Sequence, residues 1–253
     1  MGLTYRIRDT MDAEERLEDA AMFKALWDAT RGKIIAIREG AADFGAEGSL
    51  FKHEMGNPYW SDPAFLRLCG RRFMVTDYNG LEKAVDSIHR DGCDAFIKAG
   101  LLKFFLCKVP QGSTARQCMG DMVYSFIDSP VPIMVQECVD FTFEHRFFIF
   151  DRKIITWSPA AYKLTPIDYP IPNGIAWRKQ SDIEPVSFGQ FDDLYAVAKY
   201  MAENMIEQNG IVDVGMIGEN PAIIEINPWR VGMFGLFACD VRAIANAVIN
   251  ETL

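Results

Sequence analysis

Apolar and polar residues change period several times along the chain, and the changes mark out its elements. Ala13 to Ala29 has helical spacing between short strands predicted at Tyr5 to Arg8 and Lys33 to Arg38, while Gly40 to Tyr59 is loop-like. A short helix is expected over Asp62 to Leu68, a strand over Phe73 to Thr76, and a helix over Leu81 to His89 running into the strand Ala95 to Lys98. This first third reads as α/β. A strand or turn near Phe104 to Cys107, a helix from Thr114 to Ile127 and the strand Ile133 to Glu137 follow. Phe143 to Phe150 and Lys153 to Trp157 flank Asp151 and Arg152 at the spacing of a tight hairpin. Ser158 to Gln190 carries several prolines and little period, a length of connection that is often a lid. A helix over Phe191 to Gln208 then ends at Asn209 and Gly210, a good C-terminal cap.

The next stretch, IVDVGMIGENPAIIEINPW from Ile211, sets two carboxylates and an asparagine in an aliphatic hairpin of Ile211 to Met216 and Ala222 to Asn227. If Met216 pairs with Ala222 across a five-residue loop, Asp213 lies opposite Glu225 and Ile211 opposite Asn227, on one face. Val212, Val214, Met216, Ala222, Ile224 and Ile226 then form an apolar face that can pack on a core. Opposed carboxylates repel unless a cation sits between them, and a hard divalent ion such as Mg²⁺ suits oxygen ligands. The plain alternative is a solvent-facing hairpin with Asn227-Pro228 as its turn.

Composition narrows the classes. With 253 residues, 49% of them hydrophobic, the chain can bury a large core as one big domain or two small ones. A net charge of -9 argues against a broad nucleic-acid or anionic-membrane surface but leaves room for a local phosphate pocket. Cys69, Cys93, Cys107, Cys118, Cys138 and Cys239 show no CxxC pair, and MGLTYRIRDT lacks the apolar core of a signal peptide, so reduced thiols in a cytoplasm are expected. No apolar run approaches the roughly 20 residues of a membrane helix.

Two more stretches carry charge in unusual places. DAFIKAGLLKFF puts Lys98 at the end of an apolar strand and Lys103 shortly after, where ammonium groups can meet phosphate oxygens. In VPIMVQECVDFTFEHRFFIF, alternation puts Glu144 and Arg146 on one face among phenylalanines; a structural ion pair is the competing reading.

Together these residues resemble the ATP-grasp superfamily, over about Asp94 to Gly235. The resemblance implies an α+β fold in which two α+β subdomains clamp ATP over residues 94–253, preceded by a short α/β region over 1–93. It further implies that Lys98 holds phosphate, that Glu137 leads an adenine-binding backbone through Cys138, Val139 and Asp140, and that Glu144, seven residues on, takes the ribose. Asp213, Glu225 and Asn227 occupy the Mg²⁺ positions of the family's Asp and Glu-x-Asn. Arg146 further resembles a divergent phage and bacterial branch that includes the eukaryotic assembly chaperone of translation initiation factor two. Lys98, Arg146 and Arg230 are the expected catalytic cations, with Lys103 and Lys163 as further nucleotide contacts. The implied activity is an ATP- and Mg²⁺-dependent carboxylate-amine ligase acting through an acylphosphate, with a protein or peptide among its candidate substrates. The rival implication is an assembly factor that uses the nucleotide clamp without making a bond. The region before residue 94 is shorter than usual for the family, and Gln111 to Thr114 is the one candidate for a phosphate loop.

Other motifs fall away. ADFG at Ala42 to Gly45 and HRD at His89 to Asp91 stand in the wrong order for a kinase, and Phe96 sits where its asparagine belongs. His145 alternates away from Glu144 and Arg146 and is expected to pack, and three scattered histidines give no zinc pattern.

Overall fold

A computed structural model describes residues 2–10, 12–45, 58–99, 105–120, 132–160, 165–166, 188–227 and 235–252. The chain forms two compact units, one of residues 1–68 with 141–253 and one of residues 69–140. These limits differ from a division at residue 93.

In the first unit, β1 (Leu3–Arg6) pairs in parallel with β2 (Ile34–Ile37) and β3 (Phe44–Gly45), and α1 (Ala13–Ala29) makes the crossover. Asp12 caps α1 by accepting from Glu15 N at 3.0 Å. The inner face of α1 mixes Met22, Ala25 and Leu26 with two acids, Glu18 and Asp19. Asp19 is satisfied by the Tyr5 hydroxyl at 2.7 Å and the Arg8 backbone N–H at 2.6 Å. The ADFG string is structural: Asp43 accepts from the Thr4 backbone N–H at 2.8 Å and its hydroxyl at 2.9 Å.

The larger sheet of this unit is antiparallel, in the order β11-β10-β8-β9, built from β8 (Thr142–Phe150), β9 (Lys153–Pro159), β10 (Gly210–Ile217) and β11 (Asn220–Asn227). The β8–β9 hairpin turns on Asp151 and Arg152, both with positive φ, as a two-residue loop whose twist matches the strands. One sheet face sends Phe148, Phe150 and Ile211 into a core shared with Tyr5, Met22 and Leu26 and with α6 (Val241–Thr252), which packs on α1. The other face stacks Phe147 and Trp157 on Phe191 and Tyr195 of α5 (Phe188–Asn204). His145 belongs to this second face, fully buried, with Nδ1 2.8 Å from the Phe143 carbonyl and its ring against Phe191. Burying each such aromatic contributes about 1.5–3 kcal/mol. α2 (Pro63–Leu68) packs against α5.

The second unit is one antiparallel sheet, β4-β7-β5-β6, of β4 (Phe73–Thr76), β5 (Ala95–Ala99), β6 (Phe105–Val109) and β7 (Ile133–Glu137). Ala95, Ile97, Ile133 and Val135 pack against Leu81, Val85 and Ile88 of α3 (Leu81–His89) and Ala115 and Met119 of α4 (Ala115–Met119).

Three expectations need correction. The helix expected from Thr114 to Ile127 stops at Met119, because Gly120 takes φ +76° as its C-cap. The helix expected to end at Gln208 ends at Asn204. In the acid hairpin, Asp213 does face Glu225 and Ile211 faces Asn227, but Met216 pairs with Pro221, not Ala222. The loop is only Gly218 and Glu219 between the paired Ile217 and Asn220, and a bulge beside Asp213 absorbs the extra residue. The bulge takes Ile224 off the apolar face: its Cδ1 lies 3.1 Å from where a Cβ on Gly215 would stand, on the Asp213 side. α6 has no counterpart among the sequence expectations.

Candidate functional site

Three neighbouring strands place Arg146, Asp213 and Glu225 in a single row, each directly opposite the next. Arg146 grips Asp213 as a fork, Nε to Oδ1 and Nη2 to Oδ2, both at 2.7 Å. Asn227, two residues beyond Glu225 on the same face, spans the carboxylates: its Nδ2 donates at 3.1 Å to Asp213 Oδ2 and at 3.1 Å to Glu225 Oε1. Asp213 is 1% and Glu225 7% exposed, so the repulsion expected between them is offset inside the protein, by the guanidinium and the amide. Two carboxylates and one guanidinium leave the row negative. Burial works against the charge of Arg146, but Asp213, then Glu225 and Glu144, more than offset it and hold the guanidinium's pKa well above its ordinary range. Glu144, two residues before Arg146 on β8, shares its face.

The far side of Arg146 is closed by the segment after β11. Nη1 donates to the Gly235 carbonyl at 3.0 Å, and the Phe237 ring lies 5.2 Å from the guanidinium carbon. Gly235 has φ +81°, and a Cβ there would run into Arg146 Nη1. That segment is in turn held by Glu18 of α1, which accepts from the backbone N–H of Gly235 at 3.2 Å, Leu236 at 2.7 Å and Phe237 at 3.1 Å. Burial raises the Glu18 pKa above its ordinary value, with the three N–H groups and Arg8 pulling the other way.

Sequence reasoning missed Glu18, because an acid on a surface-like helix reads as solvated. The signal was its place on the stripe of Met22, Ala25 and Leu26, four, seven and eight residues on.

In the second unit, Lys98 sits on β5 between Met134 of β7 and Leu106 of β6, on the face opposite Ile97. Glu137 pairs with Ala95, about 10 Å along the ladder from Lys98 and on the other face. At the end of β7 the N–H groups of Glu137 and Cys138 donate to the carbonyls of Arg72 at 3.0 Å and Asp94 at 2.8 Å, and the Glu137 carboxylate accepts from Arg72 N at 3.1 Å. Val139 and Asp140 continue beyond those bonds.

The Gln111 to Thr114 turn serves as a helix cap. Thr114 and Gln117 form a capping box on α4, and the Ala115 and Arg116 N–H groups donate to Glu82 at 3.0 Å each. Lys103, Lys163 and Arg230 lie outside the described residues, as does most of the suspected lid.

The donor set of the row fits a hard cation. Its oxygens come from two carboxylates and a carboxamide, the protein share that Mg²⁺ takes when phosphates supply the rest. Among the described residues no three His, Cys, Asp or Glu side chains group as an all-protein metal nest.

No family model and no curated protein matches the chain. Solved structures do. It aligns with D-alanine–D-alanine ligase from Bacillus anthracis at 14% identity and TM-score 0.55, covering 99% of this chain and 95% of that one. It aligns with a RimK domain protein ATP-grasp from Sphaerobacter thermophilus at 16% identity and TM-score 0.51, covering 97% and 99%. The ATP-grasp ligase PsnB, complexed with a minimal precursor, matches at 20% identity and TM-score 0.44 over 75% of this chain, which spans 58% of PsnB. With nearly full-length alignment to two such structures, the chain has the ATP-grasp fold.

Proposed function

We propose that this protein is an ATP- and Mg²⁺-dependent ligase joining a carboxylate to an amine. The observation that supports this most is the row of Arg146, buried Asp213 and Glu225, and Asn227, in which Asp213, Glu225 and Asn227 are the positions the resemblance assigns to metal binding. The substrate carboxylate would attack the γ-phosphorus and release ADP; the amine would then attack the acyl carbon, expel phosphate and lose a proton. Mg²⁺, when bound with ATP, supplies charge neutralisation and orientation of the phosphates. Asp213, Glu225 and Asn227 would hold it. Arg146 fixes the Asp213 carboxylate in one rotamer and lowers the row's negative charge where phosphates must approach. Glu144 would accept from the ribose hydroxyls, the backbone at Glu137 to Asp140 would meet adenine, and Lys98 would take a phosphate oxygen. Lys103, Lys163 and Arg230 are the reserve cations for phosphate or acidic substrate. No protein nucleophile is needed, since positioning and electrostatics carry this chemistry.

Among the described residues no helix is long and apolar enough to cross a membrane. All six cysteines are unpaired, which supports a reducing, cytoplasmic setting.

A screen of carboxylate and amine pairs, peptides included, for ADP release tests the reading. ADP and phosphate appearing only with a matched pair is the expected result. Nucleotide binding without turnover for any pair, coupled to capture of a partner protein, would instead assign the chain to the assembly factors.

A further inference from the structure

We infer that Glu18 is a positioning residue for the metal-binding row, acting from α1 through the backbone of Gly235 to Phe237 and the Arg146 fork. This rests on the metal reading above. Three successive N–H groups converge on one carboxylate that is 5% exposed, at a sequence separation of more than 200 residues. Successive backbone N–H groups outside a helix form an anion cradle, and here the protein fills it with its own acid. Burying a carboxylate costs several kcal/mol before its hydrogen bonds are counted, so a merely space-filling position would favour an apolar side chain, as at Met22 and Leu26 one and two turns along.

What the clamp fixes is the Gly235 carbonyl, which faces Arg146 Nη1 at 3.0 Å. The seat is matched from both sides, because a side chain at Gly235 would collide with that nitrogen. Arg146 is thus held at three points, two on Asp213 and one on Gly235. Releasing Gly235 lets the guanidinium rotate off Asp213. An Asp213 whose fork has loosened no longer holds one rotamer between Arg146 and Asn227, and a carboxylate that is not held in place binds a cation less tightly. Glu18 therefore sets the Mg²⁺ requirement of nucleotide binding without touching metal or nucleotide.

The test is calorimetric titration of ATP at a series of Mg²⁺ concentrations on the full chain. Wild type is measured first: ATP affinity independent of Mg²⁺ would overturn the metal reading and this inference with it. Given Mg²⁺ dependence, Glu18→Ala should raise the Mg²⁺ concentration for half-maximal enhancement about tenfold, the scale of losing a group that orients a metal ligand. Its affinity for ATP without Mg²⁺ should be unchanged, which a general loosening of the fold would not spare. Glu18→Gln keeps an oxygen for the Leu236 and Phe237 N–H groups and should fall between wild type and Ala. A folded Glu18→Ala protein with the wild-type Mg²⁺ requirement overturns the positioning role alone. Should Glu18→Ala fail to melt cooperatively, Gly235→Ala displaces Arg146 from the same seat; it should raise the Mg²⁺ requirement likewise, and a wild-type requirement there overturns the inference.

Discussion

Arg146 and Asp213 stand directly opposite each other on β8 and β10 and are joined by two hydrogen bonds of 2.7 Å. The Asp213 carboxylate is 1% and the Arg146 side chain 12% exposed, so neither charge can turn to water if its partner is removed. Arg146→Ala should destabilise the protein by about 3–5 kcal/mol, the cost of stranding a buried charge. Arg146→Lys keeps the charge but cannot fork, and should recover only part. Denaturant unfolding of both variants measures this; wild-type stability for Arg146→Ala would mean that Asp213 is compensated elsewhere.

Asn227 ties the two carboxylates through one amide group, at 3.1 Å to each. Asn227→Asp would set a third acid beside two buried ones and should lower the melting temperature at neutral pH, with the deficit shrinking on acidification as carboxylates take up protons. Melting curves across pH show it. A deficit that does not change with pH would point to packing.

Glu18 gives the pH dependence its own sign. Burial raises its pKa above the ordinary 4.5 in the folded protein, so its contribution to stability is fully present below that value and is lost as pH rises through the raised value. Glu18→Gln cannot titrate. The difference in melting temperature, wild type minus Glu18→Gln, should therefore fall as pH climbs from about 4.5 towards neutrality. A difference that rises over that window would show the clamp to be strongest with Glu18 ionised.

Lys98 lies half-buried on β5, in a unit whose core is carried by Ile97 and its neighbours on the opposite face. Lys98→Ala should leave unfolding within about 0.5 kcal/mol of wild type while weakening ATP binding about tenfold or more. Wild-type ATP affinity in this variant would remove Lys98 from the nucleotide contacts.

The elements were legible wherever period and punctuation agree. α1, β4, α3 and β7 have the bounds that their residues suggest, and Asp213 faces Glu225 as expected, although through a two-residue loop and a bulge and not a five-residue loop. What the residues could not convey was the bulge. A hairpin register counted inward from the loop is shifted by one extra residue, and only the pairing across β10 and β11 reveals where that residue goes. The fork of Arg146 on Asp213 follows from the order β11-β10-β8, which sequence separation hides because a sequence shows one strand at a time. Glu18 was invisible for the same reason, its partners lying more than 200 residues away. Gly120 was a breaker in plain view, and a helix carried past it ignores the cost of glycine inside a helix.

The central claim is that the acid row binds Mg²⁺ with ATP, and isothermal calorimetry of ATP with and without Mg²⁺ on wild type and Glu225→Gln tests it most directly. Glu225→Gln keeps the side chain's shape and removes one of two opposed charges, so it should melt at or above the wild-type temperature. Wild type should bind ATP more tightly with Mg²⁺, and Glu225→Gln should lose most of that gain. An equal gain from Mg²⁺ in both proteins would contradict the account.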